Sequence, residues 1–196
     1  IFYNQNREKE LRKKFNIDNK DFVILFGATN TAEKRKGVKY FIEAINNLEK
    51  EIDVSNISIV SIGRGKLEAL LPNTSIKIHN LGYISDYHLL SEVYNSVNTF
   101  VVSSIQDSGP MMINQSIASG VPVVCFDLGV AKDIVLNGIT GYKVPVYDTL
   151  SLSQKIKEMY LKTPEEIQNM KNNCTNLAKT NYSKELAASK ILELMS

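Results

Sequence analysis

Short apolar runs alternate with amphipathic segments along most of this 196-residue chain. Continuous apolar runs are typical of strands buried on both faces of a parallel sheet, and apolar repeats at three- and four-residue spacing are typical of helices. The runs predict strands at 21–27, 57–63, 76–81, 98–103 and 122–126, with a short extended segment at 138–145. The helical repeats predict helices at 6–15, 38–48, 85–95, 110–119, 131–136 and 151–160, a short helix within 63–73, and helical structure from 164 onward.

Strands that alternate with helices of this length pair in parallel through right-handed crossovers. We therefore predict an α/β fold, a Rossmann-like doubly wound parallel sheet with carboxy-terminal helices. The length suits one domain, which we expect to span 1–196. Because the chain begins without methionine, we expect it to be a fragment of a longer protein.

Composition and charge limit the partners and cofactors that we expect for this protein. A net charge of +2 gives no reason to expect a nucleic-acid partner. No apolar run approaches the ~20 residues of a membrane span, so any peripheral membrane contact is expected through a missing part of the protein. Cys125 and Cys174 belong to no CxxC or histidine cluster. We expect a cytoplasmic protein without a metal or other cofactor.

The stretch 99–126 reads as a strand, a loop, a helix and another strand. Its loop and helix start would lie at the carboxyl edge of the sheet, where open α/β folds bind ligands. Pro110 suits a first helical turn. The free N–H groups of Met111 and Met112 would then face the loop and favour an anion. A phosphate-bearing ligand is the first hypothesis.

The loop after the first strand lacks both the GxGxxG and the GxxxxGK[ST] pattern. It offers Gly27 for close backbone approach, and Arg35 and Lys36 directly before Gly37 and a helix. Two cations at a helix start oppose the macrodipole, which favours an anion between them. The alternative is a solvated basic turn. The GRG at 63–65 fits either a tight turn or a ligand loop.

Asp107 and Gln115 lie on the loop and the helix that follow the predicted strand at 98–103. A carboxylate and an amide can bind the vicinal hydroxyls of a ribose. Alternatively, Asp107 only caps the helix and Gln115 faces solvent. His79 and His88 have no partner motif, so we interpret both as structural.

Three segments, in order and spacing, carry a family resemblance over nearly the whole chain. These are RKG at 35–37, LGYISDYHLLSEVYNSVNTFVVSS at 81–104, and INQSIASGVPVVCFDLGVAKDIVLNGITGYKVP at 113–145. Together they resemble the carboxy-terminal half of a GT-B glycosyltransferase of the large retaining group 1 (family 4) type. That family includes bacterial sucrose-synthase-like and mannosyltransferase-like enzymes.

The resemblance implies a donor-binding domain for a nucleoside diphosphate sugar, completed by an amino-terminal acceptor domain that is absent here. The whole enzyme would transfer the sugar to a hydroxyl with retention, in polysaccharide or glycan biosynthesis. The isolated domain would bind the donor without turning it over. The alternatives are a non-catalytic nucleotide-sugar-binding or partner-docking domain, or another GT-B enzyme such as an epimerase or phosphorylase.

The resemblance also implies residue roles. Lys36 matches a lysine that contacts the donor diphosphate, and Asp107 and Gln115 stand where the family usually has two glutamates that contact the donor sugar and the ribose. We expect Lys36 and Asp107 to be catalytic. The expected donor-binding residues are Gly27, Arg35, Gly82, Tyr83, Ile84, Ser108, Gly109, Met111, Met112 and Gln115, with Gly82 to Ile84 lying against the base.

This chain departs from the family pattern in three places. Ala28 stands where an arginine is common, Ser108 to Pro110 replace a glycine-aromatic-glycine run, and both glutamate positions are changed. Lys36, Arg35 and the helix start at Met111 are therefore the groups expected to stabilise the leaving diphosphate.

Overall fold

The computed structural model describes residues 1–30, 32–106, 111–182 and 193. Its described strands form one six-stranded sheet in the order β3-β2-β1-β4-β5-β6, and all neighbouring strands pair in parallel. The strands are β1 (Phe22–Asn30), β2 (Ile57–Arg64), β3 (Lys77–Gly82), β4 (Thr99–Val102), β5 (Val123–Phe126) and β6 (Gly141–Val144). This order is that of a doubly wound Rossmann sheet, which confirms the predicted fold class.

Helices follow most of the strands and cover both faces of the sheet. They are α1 (Glu8–Lys14), α2 (Val38–Glu51), α3 (Tyr87–Tyr94), α4 (Met111–Ala118), α5 (Ala131–Ile134), α6 (Thr149–Tyr160) and α7 (Pro164–Asn181). Two 3₁₀ turns, Lys34–Lys36 and Leu67–Leu70, follow β1 and β2. Among the described residues, no helix combines the length and apolar character needed to cross a bilayer.

The element ends differ from the sequence prediction where pairing or capping decides them. β1 continues past its apolar run because Gly27 and Ala28 pair with Ile62 and Gly63 of β2. The helix predicted within 63–73 is only the short 3₁₀ turn, and the extended segment at 138–145 supplies β6. Beyond 182, the predicted helical structure lies outside the described residues except at residue 193, which is helical.

Two apolar cores lie on opposite faces of the sheet. Successive residues of β1 point alternately to each: Ile24 and Phe26 pack in the core beneath α2 and α6, while Val23 and Leu25 pack in the core beneath α3 and α4. All four side chains are at most 1% exposed. This explains why β1 reads as a continuous apolar run rather than as an alternating one.

Side-chain caps fix several helix starts. The Asp86 carboxylate accepts from the His88 N–H at α3, and the Asp148 carboxylate accepts from the Ser151 N–H at α6. α7 begins with a capping box in which Thr163 and Glu166 each bond the other's backbone. Such caps satisfy N–H groups that have no partner within the helix.

Candidate functional site

The loops that follow β1 and β4 are bonded to each other at the carboxyl edge of the sheet. β1 and β4 are neighbours there although β2 and β3 intervene in the sequence, so the strand order reverses at this point. The Ser103 Oγ donates to the Gly37 carbonyl at 2.9 Å, and the Ile105 N–H donates to the Arg35 carbonyl at 2.9 Å. The two loops therefore form one surface at the topological switch point, the usual ligand position in open α/β sheets.

Gly37 makes this close approach possible. Its φ is +64°, and a Cβ on it would lie 1.8 Å from the carbonyl oxygen of Ser103. A side chain there would clash with the backbone and strain its own residue. Glycine at position 37 is thus required by the contact between the two loops.

Arg35 and Lys36 lie in the 3₁₀ turn directly before α2. Arg35 is about half exposed, and its Nη2 lies 2.7 Å from the Glu33 Oε2. The sequence prediction paired both cations with an external anion and missed Glu33, whose position two residues away was the available signal. Glu33 offsets part of the positive charge at this helix start.

The first turn of α4 packs directly against the end of β1. A Cβ on Gly27 would lie 2.3 Å from the Met112 Cε, so the glycine leaves room for that methyl group. Met112 is partly buried against the core beneath α3 and α4, whereas Met111 is 63% exposed. The start of α4 is therefore held beside the joined loops.

Gln115 lies in the second turn of α4 and is only 8% exposed. The alternative that it faces solvent is thus wrong, because the helix turns it inward. Its Oε1 lies 3.4 Å from the Tyr94 hydroxyl, which also donates to the Met112 carbonyl at 3.1 Å. Sequence reasoning placed Tyr94 only within the helix predicted at 85–95 and missed this contact, since apolar spacing does not show where a hydroxyl points.

Gly82 is the last residue of β3, and Tyr83 and Ile84 follow it at the same edge of the sheet. Tyr83 is 57% exposed, and the Arg64 Cζ lies 5.3 Å from the centre of its ring. Ile84 packs against the core beneath α3 and α4. β3 is two strands from β1, a separation of about 10 Å. The exposed Tyr83 ring and the 3₁₀ turn Lys34–Lys36, called the basic turn below, thus lie at the same edge of the sheet.

The remaining positions that the sequence analysis singled out are residues 107–110 and Ala28. Asp107, Ser108 and Gly109, like Pro110, lie outside the described residues, and their roles stay predictions. Ala28 is buried at the end of β1 and is 3% exposed, so it supplies only packing.

The two histidines stand apart from the joined loops. His79 lies within β3, where burial lowers its pKa, and its Nε2 is buried without a hydrogen-bond partner among the described residues. His88 is exposed in the first turn of α3. No group of three or more His, Cys, Asp or Glu in the described part of the chain is arranged to hold a metal ion.

A cavity of 460 Å³ lies at the opposite, amino edge of the sheet. It is lined by the start of α1, the turns that lead into β4 and β5, and α7, and includes Lys9, Ser119 and Lys171. Most of its polar groups have partners within the chain, as in the Lys171–Glu8 ion pair. The cavity is separate from the joined loops at the carboxyl edge.

A comparison of the sequence with models of protein families gives a match over most of the chain. Residues 7–179 match the family model described as glycosyl transferases group 1. The chain belongs to this family.

Individual relatives agree with this assignment at low sequence identity. The chain is 25% identical over 189 residues to an alpha-D-kanosaminyltransferase from Streptomyces kanamyceticus, covering 94% of this chain and 48% of that protein. A sucrose-phosphate synthase from Thermosynechococcus elongatus superposes with a TM-score of 0.82 at 19% identity, covering 99% of this chain and 49% of the other. HepE from Anabaena, crystallised with UDP and glucose, superposes with a TM-score of 0.77 at 15% identity, covering 97% of this chain and 52% of the other. The chain thus spans about half the length of each.

Proposed function

We propose that this chain is the donor-binding domain of a glycosyltransferase and that it binds a nucleoside diphosphate sugar at the carboxyl edge of its sheet. The observation that carries the proposal is the bonded pair of loops at the switch point. There Ser103 and Ile105 join the loop after β4 to the basic turn after β1. The site of an anionic ligand is thereby built from two separate parts of the chain.

The diphosphate would lie between the basic turn and the first turn of α4. Arg35 and Lys36 supply positive charge, and the N–H groups at the start of α4 add the positive end of a helix dipole. Negative charge grows on the diphosphate as the glycosyl bond breaks. Fixed positive groups aimed at that charge stabilise the transition state, and we assign Lys36 this catalytic role. The carboxylate of Asp107 would instead accept hydrogen bonds from hydroxyls of the donor sugar.

The nucleoside would extend from the diphosphate toward β3. The Gly82 to Ile84 segment would contact the base, with the exposed Tyr83 ring beside it and Arg64 behind that ring. Gln115, at the second turn of α4, would contact the ribose. The separation of about 10 Å between β3 and β1 suits a ligand that is extended along the edge.

The whole enzyme would need a second, amino-terminal domain that binds the acceptor hydroxyl. Family membership and the superposition on proteins about twice as long support this arrangement. We further propose transfer with retention, in polysaccharide or glycan biosynthesis. The 196-residue chain would bind the donor but transfer no sugar by itself.

Calorimetric titration of the chain with UDP, GDP and ADP tests the proposal. One of the three should bind, and Lys36→Ala should weaken its binding about tenfold or more, as expected for loss of a charged partner. Lys9→Ala is the matched control, because Lys9 is an exposed lysine on α1 at the amino edge. It should leave the affinity unchanged.

Two results would reject the donor-site proposal. The first is a folded chain that binds none of the three nucleotides, which would favour a docking domain. The second is equal loss of affinity in the Lys36 and Lys9 variants.

A further inference from the structure

The hydroxyl of Tyr94 bridges two acceptors on successive turns of α4. Tyr94 is the last residue of α3 and is fully buried, with 0% of its surface exposed. Its hydroxyl lies 3.1 Å from the Met112 carbonyl and 3.4 Å from the Gln115 Oε1. One core side chain therefore contacts both the start of the proposed diphosphate helix and the proposed ribose residue.

Tyr94 is a fixed donor. Its ring packs edge-to-face against Phe2 and Phe100, with centroid distances of 6.0 and 5.9 Å. Burial raises the pKa of Tyr94 far above its ordinary value, so the hydroxyl keeps its proton at physiological pH. The hydroxyl has a single proton, which it can donate either to the Met112 carbonyl or to the Gln115 Oε1, and both of these acceptors lie on α4.

In the structure, Oε1 is the atom of the Gln115 amide that faces the Tyr94 hydroxyl. Because Oε1 faces the tyrosine, the amide nitrogen occupies the other corner of the planar group. That nitrogen is neither fully buried nor hydrogen-bonded to any residue in the described part of the chain. A glutamate here could only accept hydrogen bonds, whereas this amide offers N–H donors.

We propose that Tyr94 is a positioning residue of the donor site, which holds the Gln115 amide so that its nitrogen donates to a ribose hydroxyl oxygen of the bound nucleotide. This inference rests on the proposed function. It predicts that the chain distinguishes a ribonucleotide from its dideoxy analogue, and that this preference depends on the Tyr94 hydroxyl.

The test uses the best-binding diphosphate of UDP, GDP and ADP and its 2′,3′-dideoxy analogue. The wild-type chain should bind the ribonucleotide about three- to tenfold more tightly, the range of one hydrogen bond. Tyr94→Phe keeps the ring and removes the hydroxyl, and it should reduce that ratio to below about twofold. Gln115→Leu should do the same, and the double variant should show no further loss.

The ratio compares the affinities of one variant for the ribonucleotide and for its dideoxy analogue. A general loss of stability weakens both affinities alike and therefore leaves the ratio unchanged. Tyr142→Phe is the matched control: Tyr142 is another buried tyrosine, its side chain bonds Glu158, and it packs in the core on the opposite face. That variant should keep the wild-type ratio.

Three outcomes are informative in different ways. If the wild-type chain binds no nucleotide, the proposed function itself fails. If it binds but does not prefer the ribonucleotide, or if Tyr94→Phe retains the preference, the positioning role of Tyr94 is overturned while the donor site stands.

Discussion

Gly37→Ala tests whether the contact between the two switch-point loops shapes the site. An alanine there must adopt a φ of +64°, which costs about 1–2 kcal/mol for a residue with a Cβ. Its Cβ would also lie 1.8 Å from the Ser103 carbonyl oxygen, so the loops must separate. Separation breaks the Ser103 and Ile105 hydrogen bonds, which contribute about 0.5–1.5 kcal/mol each. The expected loss is about 2–5 kcal/mol in the free energy of unfolding.

Gly138→Ala separates the conformational cost from the clash. Gly138 has a similar φ of +75°, but a Cβ there would meet nothing within 4 Å. Urea denaturation should therefore show a loss of only about 1–2 kcal/mol for this control. Nucleotide affinity should fall in the Gly37 variant and stay unchanged in the Gly138 variant. Equal destabilisation of the two variants would refute the role assigned to the loop contact.

Three further predictions concern the rest of the fold. Arg12 is 3% exposed and donates to the Ser96 and Asp21 carbonyls, so Arg12→Met should cost about 2–5 kcal/mol in urea denaturation; a change as small as that of the exposed Arg7→Met would contradict this. Burial raises the pKa of the Cys125 thiol to about 12 and also raises that of Cys174, so neither should react with a thiol reagent at pH 8 until the chain unfolds. Rapid reaction in the folded state would show that they are accessible. Thr163→Ala removes the cap of α7 and should cost about 1 kcal/mol by the same denaturation assay, and an unchanged midpoint would exclude a role for the cap.

The order and type of the elements along the chain could be predicted from the sequence largely because the central strands lie between two cores. Residues such as Val23 and Ile24 face opposite sides and are both fully buried, so the strand reads as one apolar run. The ends of elements could not be predicted as well. β1 extends to Asn30 through pairing with β2, which is a contact between distant parts of the chain.

The part of the candidate site that depends on local sequence patterns could be predicted, and the part that depends on contacts between distant segments could not. The basic turn and the start of α4 follow from local patterns, and both lie at the carboxyl edge. The bond from Ser103 to Gly37 and the contact of Tyr94 with Gln115 join residues that are far apart in sequence. No spacing rule encodes such contacts, because they depend on how the strands are ordered in the sheet.

The central claim is that a nucleoside diphosphate binds at the carboxyl edge of this sheet. Backbone amide chemical shifts, recorded while the 196-residue chain is titrated with the best-binding diphosphate, test it directly. The account predicts that the affected amides cluster at 27–37, 82–84 and 111–115, with those at 4–10 unchanged. Shifts concentrated at 4–10 and 168–171, around the cavity at the amino edge, would contradict it.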